Sequence, residues 1–399
     1  MSSGLQVAII ADDLTGAIDT AAPFATAGLS ALVQLDAHDS IAPPCPDVLA
    51  LSTESRHVAP GVAAKRVEEA VRSLRAAAPA IWFKKIDSTL RGNVATEIFA
   101  AQRASGRRHV LVAPAAPAQG RAVRAGEVFV HGVALRDSEF AREGVSPAAG
   151  LPLQRLLDCP GHDLDLHVWT SGATLGLAPS DGRHAYVADA ESDADLDRIA
   201  AFALAHRDDI LIVGSSGIGA ALARRLMRPS PARAAIAAGC SRILFVIGSR
   251  TGVSAEQMAR LRAIGIEEIV VPAAASEAER CKPRPVEPRR APAPHLLLRP
   301  DTGTVVRPED VARRLAEAAA DLIRQSSVDS LVIVGGDTAS VVFAALSVLD
   351  YPVLGEVMPG IPLGRIAVDP KRSLTVVTKS GGFGGPDTLA AIAKHLRAR

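Results

Sequence analysis

Short apolar runs of strand length recur along the chain: Val7–Ala11, Val48–Leu51, Ile81–Phe83, Val110–Ala113, Ile210–Val213, Ile243–Ile247, Glu268–Val271, Leu331–Val334 and Leu374–Thr378. Most do not alternate with polar residues, as expected of strands buried on both faces. Between them apolar residues return at helical spacing. Val62, Val67, Val71, Leu74 and Ala78 share one helix face, as do Leu196, Ile199 and Ala203, and again Val311, Leu315, Ala318 and Leu322. Buried strands alternating with amphipathic helices predict an α/β protein built from mostly parallel sheets flanked by helices.

Two stretches interrupt this alternation. Arg228–Cys240 (RPSPARAAIAAGC) carries two prolines just before a new strand and reads as a linker, giving domains 1–230 and 231–399 with an active site expected in the interdomain cleft. Pro272–Pro300, rich in Pro, Arg and Ala without a period, reads as a surface excursion inside the second domain. Residues 136–180 are Pro/Gly-rich and aperiodic.

Composition narrows the function. A length of 399 residues suits two domains, and 48% hydrophobic residues are enough for a core in each. A net charge of +1 argues against a protein that coats nucleic acid or anionic membrane, and 3% aromatic residues leave little for stacking on single-stranded bases. Four scattered cysteines without a C-x-x-C pair, and no basic-then-apolar leader, lead us to expect a soluble cytoplasmic protein. The ten histidines lack metal-ligand spacing, and there is no G-x-S-x-G elbow. Only seven of the 44 cationic residues are lysine, so the places where lysines fall are informative.

Two of the seven fall in Lys84-Lys85-Ile86-Asp87-Ser88-Thr89-Leu90-Arg91, directly after a strand. Three cations, a carboxylate and two hydroxyls in eight residues suit a small anion that also carries hydroxyls, although a solvated charged turn would have the same composition. Asp12 and Asp13 end the first strand. One could cap the helix that follows, leaving the other to bind sugar hydroxyls or a cation; their adjacency does not match the D-x-D of haloacid dehalogenase-type phosphatases. Arg56, after another strand, adds a possible carboxylate clamp. In the second half three glycine-rich strand-to-helix turns recur: Gly248–Gly252, Gly335–Thr338 and Lys379–Gly385. Such turns let the backbone approach phosphate closely, and none is a Walker A loop. Gly214-Ser215-Ser216-Gly217-Ile218-Gly219 approximates a dinucleotide loop but has the wrong spacing, which leaves an NAD(P)-dependent reductase as an alternative alongside a non-catalytic sugar-acid binding protein.

IADDLTGAIDTA, STESRH, KKIDSTLRGN, PAAPAQGR, GGDTASVV, GEVMPGIPLG and TKSGGFG, in that order from about residue 7 to 390, resemble the four-carbon acid sugar kinases. The resemblance implies an N-terminal domain for the acid sugar, a C-terminal domain for ATP, and phosphorylation of the 4-hydroxyl of a tetronate such as D-threonate, D-erythronate or a 3-oxo-tetronate. By that resemblance Asp12, Arg56, Lys84, Lys85, Asp87, Ser88, Thr89 and Arg91 contact the sugar acid. Ser249, Gly335, Gly336, Asp337, Thr338, the turn from Gly355 to Gly360, Lys379, Ser380, Gly381 and Gly382 contact ATP. GSRTGVS departs from the pattern by carrying Arg250 and Thr251 where small polar residues are expected. Asp337 is the expected proton acceptor, with Asp87 and Asp12 as alternatives on the sugar side. Mg²⁺ is implied by ATP, and the motifs name no ligands for it. The expected partners are the acid sugar and ATP, without nucleic acid or membrane, and homo-oligomerisation is left open.

Overall fold

The computed structural model describes residues 4–35, 44–142, 150–158, 164–178, 182–229, 240–272, 295–301, 307–325 and 328–397. The strands up to residue 214 are β1 (Val7–Ala11), β2 (Ala31–Gln34), β3 (Val48–Ser52), β4 (Ile81–Lys85), β5 (His109–Ala113), β6 (Arg121–Arg124), β7 (Glu127–Val130), β8 (Val133–Ala134), β9 (Asp165–Trp169), β10 (His184–Ala188) and β11 (Ile210–Gly214). Those that follow are β12 (Ile243–Ile247), β13 (Glu267–Val271), β14 (His295–Pro300), β15 (Ser330–Val334), β16 (Asp350–Met358), β17 (Ile361–Asp369) and β18 (Arg372–Lys379). The helices are α1 (Leu14–Thr26), α2 (Pro60–Leu74), α3 (Val94–Ser105), α4 (Glu139–Arg142), α5 (Leu153–Leu157), α6 (Asp193–Ala205), α7 (Ser216–Leu226), α8 (Gly252–Ala263), α9 (Pro308–Gln325), α10 (Gly336–Ala345) and α11 (Thr388–Arg397). The chain forms two compact units, Met1–Arg233 with Asp350–Gly360, and Ala234–Leu349 with Ile361–Arg399.

In the first unit the strand order is β16-β2-β3-β1-β4-β11-β5-β10-β9. Every pairing is parallel except that of β16, which runs antiparallel to β2. The central strands β1, β3, β4, β5 and β11 are buried throughout their length, as their unbroken apolar runs require. β6, β7 and β8 form a small separate antiparallel sheet. In the second unit the order is β13-β14-β12-β15-β18-β17, parallel except for β17 against β18.

The α/β expectation therefore holds, with differences that have physical reasons. On α2 the buried stripe is Ala63, Val67, Ala70, Val71 and Leu74, whereas Val62 is exposed and Ala78 lies beyond the helix in a left-handed conformation. The α9 stripe settles on Leu315, Ala316, Ala319 and Ile323, close to the expected face but rotated by about one residue. Residues 295–300, expected in a surface excursion, form β14, a strand with neighbours on both sides; residues 273–294 of that stretch lie outside the described residues. Most of the expected linker, residues 230–239, also lies outside them. Among the described residues no helix is long and apolar enough to cross a membrane.

Candidate active site

In the first unit β3, β1, β4, β11 and β5 are consecutive parallel neighbours, so their carboxyl ends lie along one edge and the loops that follow are brought together. Two adjacent aspartates leave β1 and do different work. Asp13 caps α1, accepting from Gly16 N at 2.9 Å. Asp12 is buried; its Oδ2 accepts from Arg56 Nε at 2.7 Å, while its Oδ1 is buried without a hydrogen-bond partner. Arg56 also reaches Asp13 Oδ2 at 2.7 Å through Nη1 and Asp87 Oδ1 at 3.7 Å through Nη2, so one guanidinium gathers three carboxylates. The Arg56 loop is pinned by Asn93 Nδ2, which donates to the carbonyls of Ser55 at 3.0 Å and Val58 at 2.9 Å.

After β4, Asp87 accepts from Thr89 and takes both Nε (3.0 Å) and Nη2 (2.6 Å) of Arg91. Burial raises the Asp87 carboxyl, but Arg91 and Arg56 outweigh it and hold the group well below the usual carboxylate range. Asp12 is likewise pushed up by burial and brought below its ordinary value by Arg56, Lys85 and Lys84. Ser88 is half-buried and makes no hydrogen bond with a described residue.

The two lysines part company because successive side chains of a strand face opposite ways. Lys84 is fully buried, pairs with Glu97 Oε2 of α3 at 2.8 Å and donates to the carbonyl of Lys85 at 2.7 Å. That pair fastens α3 to the sheet, and the Lys84 charge also acts on Asp12. Lys85 lies on the aspartate side. Its ammonium passes so close to α1 that a Cβ on Gly16 would come within 2.8 Å of it, and among the described residues no ion pair or hydrogen bond engages it. Burial lowers the Lys85 ammonium and Asp19 and Asp12 more than restore it, so it stays charged. The half-buried Asp19 of α1, which the sequence reading passed over as one carboxylate in an apolar run, is raised by burial to about 7.

In the second unit the three glycine-rich turns follow β12, β15 and β18, strands that are direct neighbours. Residues about 130 positions apart in sequence meet there: Thr251 Oγ1 and Ser254 Oγ each donate to the Gly381 carbonyl at 3.0 Å. Ser254 Oγ also lies within hydrogen-bond distance of Ser249 Oγ at 2.9 Å, and Gln257 Nε2 donates to the carbonyls of Phe383 (3.0 Å) and Gly385 (2.9 Å). A Cβ on Gly381 would overlap Ser249 Oγ, so only glycine fits this crossing. Thr251, an apparent departure in the sequence pattern, caps α8 and ties it to the third turn. Lys379 is buried, and its ammonium donates to the carbonyls of Ser380 (2.8 Å), Phe383 (2.9 Å) and Gly381 (3.4 Å) of its own turn; burial lowers it to about 8. It shapes the turn from within, which differs from a lysine reaching outward to phosphate.

Gly335, Gly336, Asp337 and Thr338 open α10, whose start has no side-chain cap, and Asp337 is exposed without a hydrogen-bond partner among the described residues. Ser380, Gly381 and Gly382 lie on the third turn. Gly355 belongs to the first unit. It sits on β16, which packs with the first unit, where the nearby Glu356 accepts from Gly360 N at 2.7 Å. The sequence reading missed Glu97, Asp19, Ser254 and Gln257, whose roles depend on residues distant in sequence: Lys84 for Glu97, Lys85 for Asp19, and the Gly381–Gly385 turn for Ser254 and Gln257.

Residues 7–222 match a sugar-binding N-terminal domain family and residues 244–389 a nucleotide-binding C-terminal domain family. A D-threonate kinase of Bordetella bronchiseptica is 34% identical over 410 residues, 99% of this chain and 98% of the relative. A 3-oxo-tetronate kinase of Methylobacterium radiotolerans is 29% identical, covering 96% and 97%, and a D-erythronate kinase of Heliobacterium modesticaldum 27%, covering 98% and 97%. A Haemophilus influenzae protein of known crystal structure shares the fold with a TM-score of 0.70 at 20% identity, over 98% of this chain and 100% of that one. Two family matches in chain order and kinase relatives aligned along nearly the whole length converge on one conclusion: the chain belongs to the four-carbon acid sugar kinase family, and it is a four-carbon acid sugar kinase.

Proposed function

We propose that this kinase transfers the γ-phosphoryl group of ATP to the 4-hydroxyl of a tetronate, D-threonate first and D-erythronate next. The observation that carries the reading is that one chain holds two unlike clusters, each suited to one half of that reaction. The first unit offers buried cations and carboxylates at strand ends, chemistry for a small acid bearing hydroxyls. The second offers three joined glycine turns and an uncapped helix start, chemistry for phosphates. The domain roles follow: acid sugar on residues 1–230 together with β16, nucleotide on the remainder of 231–399.

Phosphoryl transfer asks mainly for positioning and charge neutralisation. Asp12, with one unpartnered carboxylate oxygen, accepts a substrate hydroxyl, and Lys85 supplies an uncommitted charge beside it. Asp87, held ionised by two arginines, orients them and is a poor proton acceptor. Asp337, exposed at the start of α10, is the proposed acceptor of the hydroxyl proton. Ser249, Thr338 and the Gly335–Gly336 and Ser380–Gly382 backbones border the phosphates, with Lys379 holding the last turn in shape. Among the described residues no group of three or more His, Cys, Asp or Glu stands ready for a metal ion, so Mg²⁺ enters this reading as the counter-ion of ATP.

The test is ADP release coupled to a dehydrogenase readout, screened over the D- and L-forms of threonate and erythronate and over 3-oxo-tetronates. ATP-dependent turnover of D-threonate supports the proposal. NAD(P)H consumption by the enzyme itself, without ADP formation, overturns it in favour of a reductase.

A further inference from the structure

A sugar acid brings a carboxylate, and a carboxylate is recognised best by a cation that no protein carboxylate already holds. Most cations of the first-unit cluster are engaged. Arg56 holds Asp12 and Asp13, Arg91 grips Asp87 with Nε and Nη2, and Lys84 pairs with Glu97. Arg121, which ends the PAAPAQGR motif, is different.

Arg121 opens β6, and backbone hydrogen bonds with Ala116 in both directions, each 3.0 Å, fix its position after β5. Its side chain is 7% exposed, yet no carboxylate lies within ion-pair distance among the described residues. Asp87 and Glu139 act on it from farther away, and burial lowers its pKa. Its hydrogen bonds are confined to one nitrogen: Nη1 donates to the Gln119 carbonyl at 2.7 Å and lies 3.2 Å from His131 Nε2. The Phe140 ring, 5.5 Å from the guanidinium carbon, covers one face. Nε is buried without a partner, and Nη2 makes no hydrogen bond. These two nitrogens form the side edge of the guanidinium, the same edge with which Arg91 takes both oxygens of Asp87. On Arg121 that edge has no partner among the described residues.

We propose that Arg121 receives the carboxylate of the acid-sugar substrate through Nε and Nη2, and so selects sugar acids over neutral polyols. The proposal rests on the first unit being the acid-sugar half. Arg56 and Arg91 then organise the carboxylates that read the hydroxyls, and Arg121 reads the acid.

The experiment uses the full-length enzyme with R121Q and R121K, D-threonate, and threitol, in which the carboxylate is an alcohol. R121Q is expected to raise the KM for D-threonate, and its Kd by calorimetry without nucleotide, roughly 10- to 100-fold. The KM for ATP and the apparent affinity for threitol, read as turnover or inhibition, stay at wild-type values. R121K, which keeps the charge but has no planar fork, falls between. Equal losses for D-threonate and threitol, or a wild-type KM in R121Q, overturn the proposal. So does a wild-type KM in R121K if R121Q does not fold. Wild-type enzyme inert toward every tetronate overturns the underlying reading itself, a result distinct from an active enzyme indifferent to residue 121.

Discussion

The clusters of the two units are made of different material. The first is built of side chains: Arg56, Asp12, Asp13, Asp87 and Arg91 form a chain of buried and half-buried ion pairs. The second is built of glycine-rich backbone, and side chains such as Ser254, Gln257 and Lys379 hold its carbonyls in place. On the proposed domain roles, the difference follows from the ligands. A four-carbon acid is small, and its groups must be told apart one by one, which requires directed side-chain atoms. A polyphosphate is larger and uniform, and a glycine turn with free N–H groups meets it without discrimination. That proposal places specificity in the first unit and predicts that, in the second, tolerance of sequence change is higher at side chains than at glycines.

The sharpest way to break this comparison is within the first unit, at neighbouring lysines. Lys84→Met leaves Glu97 buried without its partner and is expected to cost about 3–5 kcal/mol of stability, read as a lower Tm, with the KM for D-threonate of the folded enzyme within about twofold of wild type. Lys85→Met is expected to do the reverse, raising that KM roughly 10- to 100-fold with a stability change below about 1 kcal/mol. Matching phenotypes for the two would erase the distinction between a fastening and a binding lysine.

The second unit offers the complementary test. Gly381→Ala drives a methyl group into Ser249 and should weaken ATP use about tenfold, while calorimetric D-threonate affinity is unchanged. If ATP kinetics ignore the substitution, the crossing of the first and third turns is not part of the nucleotide site.

A pH-dependent test of the first unit lies at Asp19. Its carboxyl is raised from 3.8 to about 7 by burial, with Lys85 opposing, so between those values the folded protein binds a proton that the unfolded chain has released. Its contribution to stability therefore falls as pH rises from about 4 to 7. Asp19→Asn removes that dependence, and its Tm relative to wild type should climb across this window by the equivalent of about 1–3 kcal/mol. A flat difference would mean that Asp19 titrates normally.

Much of this was legible in the sequence, for reasons that differ by region. The buried parallel strands announced themselves as apolar runs, and the glycine turns marked where three of them end. Asp12 and Asp13 showed that one carboxylate exceeds what a helix cap needs. The division of labour between Lys84 and Lys85 was not readable, because the strand was expected to stop at Phe83; extending β4 to Lys85 puts both lysines under the alternation rule. β14 was hidden by flanking prolines, and β16 and β17 by polar residues, since antiparallel strands do not need unbroken apolar runs. Arg121 lay in plain view inside a quoted motif, but only the tertiary structure reveals that its guanidinium edge has no partner.

The placement of β16 has a consequence for anyone who divides the protein. Eleven residues from late in the chain, Asp350–Gly360, complete the first unit by covering the outer side of β2, with Tyr351 fully buried. Expressing residues 1–230 alone strips that cover and bares a row of N–H and C=O groups on β2, the kind of open template on which copies of a protein pair and aggregate. A clean acid-sugar fragment has to carry the late strand back to its neighbour, by a linker graft or a circular permutation. Otherwise its insolubility says nothing about whether the half-protein can recognise its ligand.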